Sequence, residues 1–556
     1  MKGAKIVMEC LVEQGVDSVF GYPGGTILNI YDALYDYKDK IKHYLTSHEQ
    51  GAAHAADGYA RSSGKVGVCF ATSGPGATNL VTGLATAYMD SVPVVAITCN
   101  VAKSLLGRDT FQEVDIAGIT MPITKHNYIV YDVEKLADTI REAFYIAKSG
   151  RPGPVLIDIP KDITVAECEF TPKPVKEYVP QEKIDSAEFD RVVARLNKCK
   201  QPMIIAGGGV VKSNAESELY TLVKKLNCPI ANTLMGLGSF PQNEKHFTGM
   251  VGMHGTKASN HAVSNCDLLI AIGMRFSDRV TSDTSKFAKG AKVLHIDIDP
   301  AEINKNIMSD YELIGDAKLV LQKLLPMVEQ KTDETWLNRI LEMKENKVNL
   351  DSPHAPLNPQ YILESINTKL GDDAIVTTEV GQNQMWTAQY YKFNKPRKLI
   401  TLGGLGTMGF GTGASIGCKV ANPNTKVVAI AGDGSFRMNC NELATVDHYD
   451  LPIVYVILNN QTLGMVRQWQ TLFYSKRYSE TTLDRGPDFK MLAEAFHIKG
   501  YEVETKEQFE IAIEEALQSD KPALIDCRII TDECVLPMVA PGKPIQNVIT
   551  EVEKEQ

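Results

Sequence analysis

Two side chains at a defined spacing carry the strongest chemical signal in this chain. Asp433 follows the apolar run Val427–Ala431 within Gly432-Asp433-Gly434, and Asn460 ends a second apolar run, Ile453–Leu458, within Asn459-Asn460. A helix-like segment, Asn439–Tyr449, lies between them. Strand, helix and strand in this order predict a right-handed crossover with the two strands parallel. Asp433 and Asn460 then leave the sheet at one edge, where open α/β sheets take their ligands. A carboxylate and an amide oxygen make a hard, oxygen-only site suited to Mg2+, which also recruits phosphate oxygens. Gly432 and Gly434 let backbone N–H groups approach a phosphate closely. The pattern predicts a metal-bridged diphosphate site. A Gly-Asp-Gly triplet alone marks many turns, and its weight here comes from the strands on either side.

The elements that must position these residues repeat along the chain. Three segments alternate short β-branched runs with helical patterns, the mark of doubly wound parallel sheets. The first has strand candidates Ser18–Phe20, Val66–Ala71, Val94–Thr98 and Val155–Ile159. The second has Met203–Ala206, Leu268–Ile272 and Val293–Ile298; the third has Ile375–Thr378, Val427–Ala431, Ile453–Leu458 and Ala523–Cys527. A charged, Pro-containing linker, Phe170–Lys183, and the stretch LDSPHAPLNP at 350–359 separate them. The expected fold is α/β with three doubly wound parallel-sheet domains, over residues 1–170, 185–348 and 358–545. The first and third segments look like distant copies of one fold, which sequence alone does not establish.

Composition narrows the function classes. With 556 residues, a net charge of −10 and 23% charged residues, the chain lacks the basic excess of a nucleic-acid binder. No apolar run approaches the ~18 residues of a membrane span. The first residues, MKGAKIVMECLVEQG, read as an amphipathic helix rather than a signal peptide. The 11 cysteines are scattered, without a CxxC pair or zinc spacing, and read as reduced, buried thiols of a cytoplasmic protein.

The Gly-Asp-Gly…Asn-Asn pattern resembles the thiamine diphosphate (ThDP) fingerprint, in which the Asp and the second Asn bind the metal. That chemistry calls for a carboxyl group hydrogen-bonded to N1′ of the aminopyrimidine, so that the cofactor's own 4′-amino group serves as the base. Desolvation suits a buried Glu to holding a proton near neutral pH. The candidate is Glu49, between the apolar pair Tyr44-Leu45 and the Ala-rich helix His54–Arg61.

Longer motifs carry a more specific resemblance. FGYPGGTILNIYDAL (Phe20–Leu34), HEQGAAHAADGYAR (His48–Arg61), GPGATN (Gly74–Asn79), FQEVD (Phe111–Asp115), RPGPVLIDIPKD (Arg151–Asp162), GMRFSDRV (Gly273–Val280) and GLGTMGFG (Gly404–Gly411) are similar to the catalytic large subunit of acetohydroxyacid synthases. The likeness continues through GMVRQWQ (Gly464–Gln470) to VLPMVAPG (Val535–Gly542). It implies a pyrimidine-binding, an FAD-binding and a diphosphate-binding domain in that order. It also implies a homodimer or homotetramer with the active site between protomers, and a small regulatory subunit as partner. The implied reaction decarboxylates pyruvate and joins the two-carbon unit to a second pyruvate or to 2-ketobutyrate, in branched-chain amino-acid biosynthesis.

By the same resemblance, Asp433, Asn460 and the Thr462 carbonyl bind Mg2+. Gln382, Asn383, Gly406, Gly432, Gly434 and Ser435 contact ThDP, although the family usually has His where Asn383 stands. Met408 is implied as the wedge that holds the cofactor bent. Gly25, Phe111, Gln112, Lys161, Met465, Val466 and Trp469 line the acceptor pocket, Trp469 one helical turn from Met465 and Val466. In the middle segment Gly207-Gly208-Gly209 after an apolar run permits close approach to a pyrophosphate. Arg151, Thr233, Leu234, Met253, His254, Gly255, Arg275, Arg279, Asp297 and Asp316 match the family's FAD-binding pattern. The GMRFSDRV segment separates these FAD-binding synthases from FAD-free relatives, and the flavin is expected to be non-redox. Rival readings are a flavin-dependent pyruvate oxidase and a non-catalytic descendant of the fold.

Overall fold

The computed structural model describes residues 1–180, 182, 184–345 and 356–551. Part of the second linker, 350–355, lies outside the described residues, as do two positions of the first.

Three six-stranded, all-parallel sheets succeed one another along the chain. The first contains β1 (Ser18–Gly21), β2 (Lys42–Leu45), β3 (Gly67–Ala71), β4 (Val94–Asn100), β5 (His126–Ile129) and β6 (Val155–Pro160). The second contains β7 (Pro202–Ala206), β8 (Ile230–Asn232), β9 (Phe247–Met250), β10 (Leu268–Ile272), β11 (Lys292–Asp297) and β12 (Tyr311–Ile314). The third contains β13 (Ile375–Thr378), β14 (Leu399–Ile400), β15 (Val427–Gly432), β16 (Ile453–Asn459), β17 (Lys499–Val503) and β18 (Ala523–Arg528). Central strands such as β4, β10 and β16 are buried along their whole length. Helices on both faces produce that burial, and it explains their unbroken apolar runs.

Strand order relates the sheets. The first runs β2-β1-β3-β4-β6-β5 and the third β14-β13-β15-β16-β18-β17. Counted within each unit, the order is identical, so the two share one topology. The middle sheet runs β12-β11-β10-β7-β8-β9, the dinucleotide-binding order, with its reversal between β7 and β10.

The first and third units dock through a close helix pair, Glu49–Ser63 against Phe410–Ala421. A Cβ on Gly58 would stand 2.2 Å from the Ala414 carbonyl oxygen, and one on Gly417 1.8 Å from that of Ala55. Glycine is required at both positions for the backbones to come this near. Between Asp433 and Asn460, the predicted helix is a 3-10 turn, Cys440–Glu442, continued by a helix, Leu443–His448. No helix among the described residues is long and apolar enough to cross a membrane.

Candidate active site

β15 and β16 pair in parallel from Val427↔Ile453 to Gly432↔Leu458, so Asp433 and Asn460 emerge at the same edge. Three oxygens converge there. Asn460 Oδ1 lies 3.3 Å from Asp433 Oδ1 and 3.1 Å from the Thr462 carbonyl oxygen. The amide orientation follows from its neighbours. Gln382 Nε2 donates to the Glu533 carbonyl (2.8 Å) and to Gln468 Oε1 (3.0 Å), which leaves Gln382 Oε1 to accept from Asn460 Nδ2 (2.9 Å). Reversing the Asn460 amide would place a donor among the converging oxygens, but it would also turn Oδ1 onto Gln382 Oε1. Adjacent oxygens around an octahedral Mg2+ stand about 2.9 Å apart, given metal–oxygen distances of about 2.1 Å. The two Asn460 Oδ1 separations exceed that spacing by a few tenths of an ångström. Burial, with help from Asp526, pushes the Asp433 carboxyl up to about 7, and no ion pair offsets this among the described residues.

The neighbouring glycines have separate reasons. A Cβ on Gly434 would meet Leu463 Cδ2 at 2.7 Å, so packing of the loop requires glycine there. Gly432 has more room, its nearest neighbour being Asn383 Nδ2 at 3.3 Å. Ser435 Oγ accepts from Gly432 N (3.2 Å) and closes the turn. Gln382 and Asn383 begin the helix after β13; both are buried, and Asn383 Oδ1 has no partner, leaving that side chain available to a ligand.

The loop carrying Met408 has Gly406 and Gly409 at φ 70° and 89°, the left-handed region that favours glycine. Sequence reasoning missed what holds it. Glu379, 1% exposed, accepts from Gly409 N through Oε2 and from Gly411 N through Oε1, both at 2.7 Å. Burial pushes its carboxyl up to about 7, against the lowering effect of these amides. An acidic residue directly before Val380-Gly381-Gln382 was the available signal.

Glu49 opens the helix that follows β2, is 8% exposed and accepts from Asn79 Nδ2 at 2.9 Å. A Cβ on Gly76 would stand 3.1 Å from Glu49 Oε1, so GPGATN forms the wall beside the carboxylate. On the same sheet edge, Lys161 Nζ donates to the Gly25 carbonyl (3.2 Å) and Gln112, at φ 60°, crosses over Gly74. Phe111 beside it is 87% exposed. Within one chain no hydrogen bond or ion pair joins this group to Asp433, Asn460 or the Met408 loop among the described residues.

A cavity of about 1600 Å3 opens at the reversal of the middle sheet and extends to the third unit. Gly208, Gly209, Thr233, Leu234, Met253 and His254 line it, with Arg275, Arg279, Asp297 and Asp316. Arg151 reaches it from the first unit, held by Asp299 (3.1 Å) and Glu302 (2.8 Å). Gly406, Met408, Met465, Val466 and Trp469 close the far end. The last three lie on the helix Gly464–Phe473, which puts Trp469 about one turn from Met465 and Val466, and the Arg279 guanidinium stands 5.7 Å from the Trp469 ring. Gly207 and Gly255 are not on the wall. A Cβ on Gly207 would strike the Gly273 carbonyl oxygen at 2.4 Å, and one on Gly255 the Gly252 nitrogen at 2.6 Å. Lys212, which sequence reasoning overlooked, faces the cavity; burial lowers its ammonium to about 8, and it has no ion pair among the described residues.

The fold and this site define an enzyme of the thiamine diphosphate class. Residues 1–119 match the thiamine pyrophosphate enzyme N-terminal TPP binding domain, 189–324 the central domain and 379–527 the C-terminal TPP binding domain. The chain is 48% identical to the probable acetolactate synthase large subunit of Methanocaldococcus jannaschii, over 100% of this chain and 96% of that protein. It is 48% identical to the acetolactate synthase isozyme 2 large subunit of Escherichia coli, over 98% of each. It is 47% identical to the acetolactate synthase large subunit of Cyanidium caldarium, over 97% and 95%. The chain belongs to the acetolactate synthase large-subunit family.

Proposed function

We propose that this chain forms 2-acetolactate from two pyruvates, and 2-aceto-2-hydroxybutyrate from pyruvate and 2-ketobutyrate, at a ThDP–Mg2+ site shared between two protomers. The three facing oxygens of Asp433, Asn460 and Thr462 carry this reading, because a cation among them would relieve their mutual repulsion. In it, residues 1–170 hold the aminopyrimidine, 185–348 hold FAD and 358–545 hold the diphosphate. Bound ThDP supplies a thiazolium carbon that adds to the keto group and stores the electrons released with CO2.

The protein's part is orientation and exclusion of water. Asp433 and Asn460 would anchor the metal; Gln382 and Asn383, with Gly432 and Ser435, would border the diphosphate. Glu49 would hydrogen-bond the pyrimidine N1′ of bound ThDP and so favour the imino tautomer at the 4′-nitrogen. Met408 would pack against the bound cofactor and help hold it bent. Lys161 and Gln112 approach the keto acid from the partner's sheet edge. Met465, Val466 and Trp469 give the acceptor an apolar wall that admits the extra methyl of 2-ketobutyrate. These walls would keep water and stray protons from the reacting carbon until the second keto acid arrives.

The two-protomer reading is supported by the exposed Phe111 and by the lack, among the described residues of one chain, of any hydrogen bond or ion pair from Glu49 to Asp433 or Asn460. A homodimer is then the smallest complete unit, and a tetramer or a small regulatory subunit would add to it. FAD fits the large cavity, whose Arg151 and Lys212 suit a diphosphate and whose position matches the strand-order reversal. The reaction is redox-neutral, so the flavin serves structure. The cytoplasm is the proposed compartment. The deciding experiment assays purified protein with pyruvate, then with both keto acids, with and without ThDP and Mg2+. Cofactor-dependent acetolactate without oxygen uptake supports the reading; oxygen uptake matching pyruvate loss indicates a pyruvate oxidase and overturns it.

A further inference from the structure

The connection from β2 into the helix Glu49–Ser63 belongs to the first unit, yet its backbone is held by the third. Glu442 ends the 3-10 turn Cys440–Glu442 and is fully buried. Its Oε1 accepts from Ser47 N (3.1 Å) and His48 N (3.0 Å), and its Oε2 accepts from Thr445 Oγ1 (2.7 Å). Ser47 Oγ donates to the Asn441 carbonyl (3.0 Å), and Leu45 N to Tyr449 Oη (2.8 Å). A Cβ on Gly51 would stand 2.2 Å from Glu442 Oε1, so glycine there lets the carboxylate come this close. The next residue after the clamped pair Ser47-His48 is Glu49.

We infer that Glu442 is the positioning residue for Glu49, setting the start of its helix through the Ser47 and His48 amides. This rests on the reading that Glu49 is the carboxyl partner of the pyrimidine N1′. Two features argue against a tie that serves packing alone. Burying a carboxylate is costly, and Glu49 raises that cost by repulsion. An acceptor-only group is nevertheless what two converging N–H donors and one O–H donor require. Glutamine at this place would turn an NH2 toward one of those donors. Among the described residues Asn79 holds the Glu49 side chain by a hydrogen bond at one oxygen only, so its remaining placement depends on where the backbone begins the helix.

The test uses the holoenzyme and follows exchange of the thiazolium C2 proton of bound ThDP with D2O, by acid quench and NMR. Glu442→Gln is expected to slow exchange at least about tenfold, the scale of a sub-ångström misplacement. Half-saturating ThDP should stay within about threefold, because Asp433 and Asn460 are untouched, and Glu442→Asp should recover part of the rate. The double variant Glu49→Gln/Glu442→Gln should exchange no more slowly than Glu49→Gln alone, since Glu442 acts through Glu49. Exchange within twofold of the parent in folded Glu442→Gln overturns the inference, as does a further multiplicative loss in the double variant. If Glu442→Gln does not fold, Thr445→Val removes only the hydroxyl on Oε2; it should slow exchange a few-fold, and an unchanged rate overturns the inference. Normal exchange in Glu49→Gln would instead sink the Glu49 reading itself, whatever Glu442→Gln does.

Discussion

Asn460 Oδ1 and the main-chain oxygen of Thr462 stand 3.1 Å apart with no donor between them. Such a pair repels unless a cation joins it. The orientation responsible is set some distance away, by the Glu533 carbonyl acting on Gln382 and Gln382 acting on Asn460. The proposed metal site would therefore be only as firm as this relay.

Gly464→Ala tests the relay. The added Cβ would stand 1.9 Å from Gln382 Oε1 and 2.7 Å from Asn460 Nδ2, so Gln382 must move. Losing a partner that orients a ligand typically costs 10–100-fold in metal affinity, so half-saturating Mg2+ should rise at least about tenfold. Flavin content should be unchanged. Mg2+ titration of activity reads the first and flavin absorbance after gel filtration the second, and an unaltered Mg2+ requirement refutes the relay.

Glu49→Gln keeps the shape of the side chain but removes the carboxyl. Acetolactate formation should fall to near background, while flavin absorbance after gel filtration stays at the parent level. Near-normal turnover in this variant would remove Glu49 from the mechanism.

Glu379 gives a pH prediction. Its carboxyl rises from 4.5 to about 7 on folding, so between these values the native state keeps a proton that the unfolded chain releases. The native state then binds more protons, and this contribution is present below the unfolded value and lost as pH rises through about 7. The whole shift corresponds to roughly 3 kcal/mol. Glu379→Gln lacks the titrating group, so its stability should fall less between pH 5 and pH 8. Urea midpoints of both proteins at the two pH values decide this, and equal losses would exclude Glu379 as the source.

Trp469→Leu shortens the apolar wall beside Met465 and Val466 and removes the ring facing Arg279. One methylene of pocket contact is worth about 1–3 kcal/mol, so preference for 2-ketobutyrate over pyruvate should fall by about tenfold. Competition between the two acceptors measures the ratio, and an unchanged ratio places the acceptor elsewhere.

Most inner strands were legible because each is buried on both faces and reads as an apolar run, as in β10 and β16; the inner strand β8, three residues ending in Asn232, is too short for such a run and was missed. The edge strands β2, β5, β9, β12, β14 and β17 were not among the candidates. Strands such as KHYL, HNYI and KGYEV carry polar residues where one side lacks a neighbour. Asp433 and Asn460 were legible for a related reason: local strand–helix–strand chemistry places both at one sheet edge whatever else the chain does.

What the amino-acid order determined by itself was the set of reactive groups and their strand ends, because those follow from short-range pattern and topology rules. Tertiary structure decided the rest. Glu379 and Glu442 acquire their roles only through amides 30 and nearly 400 positions away, and the common order of the outer sheets emerges only from pairing. Gly207, Gly255 and Gly434 look alike as glycines near a ligand, yet close backbone or side-chain neighbours require them. Such contacts join residues remote in sequence, so no local pattern encodes them.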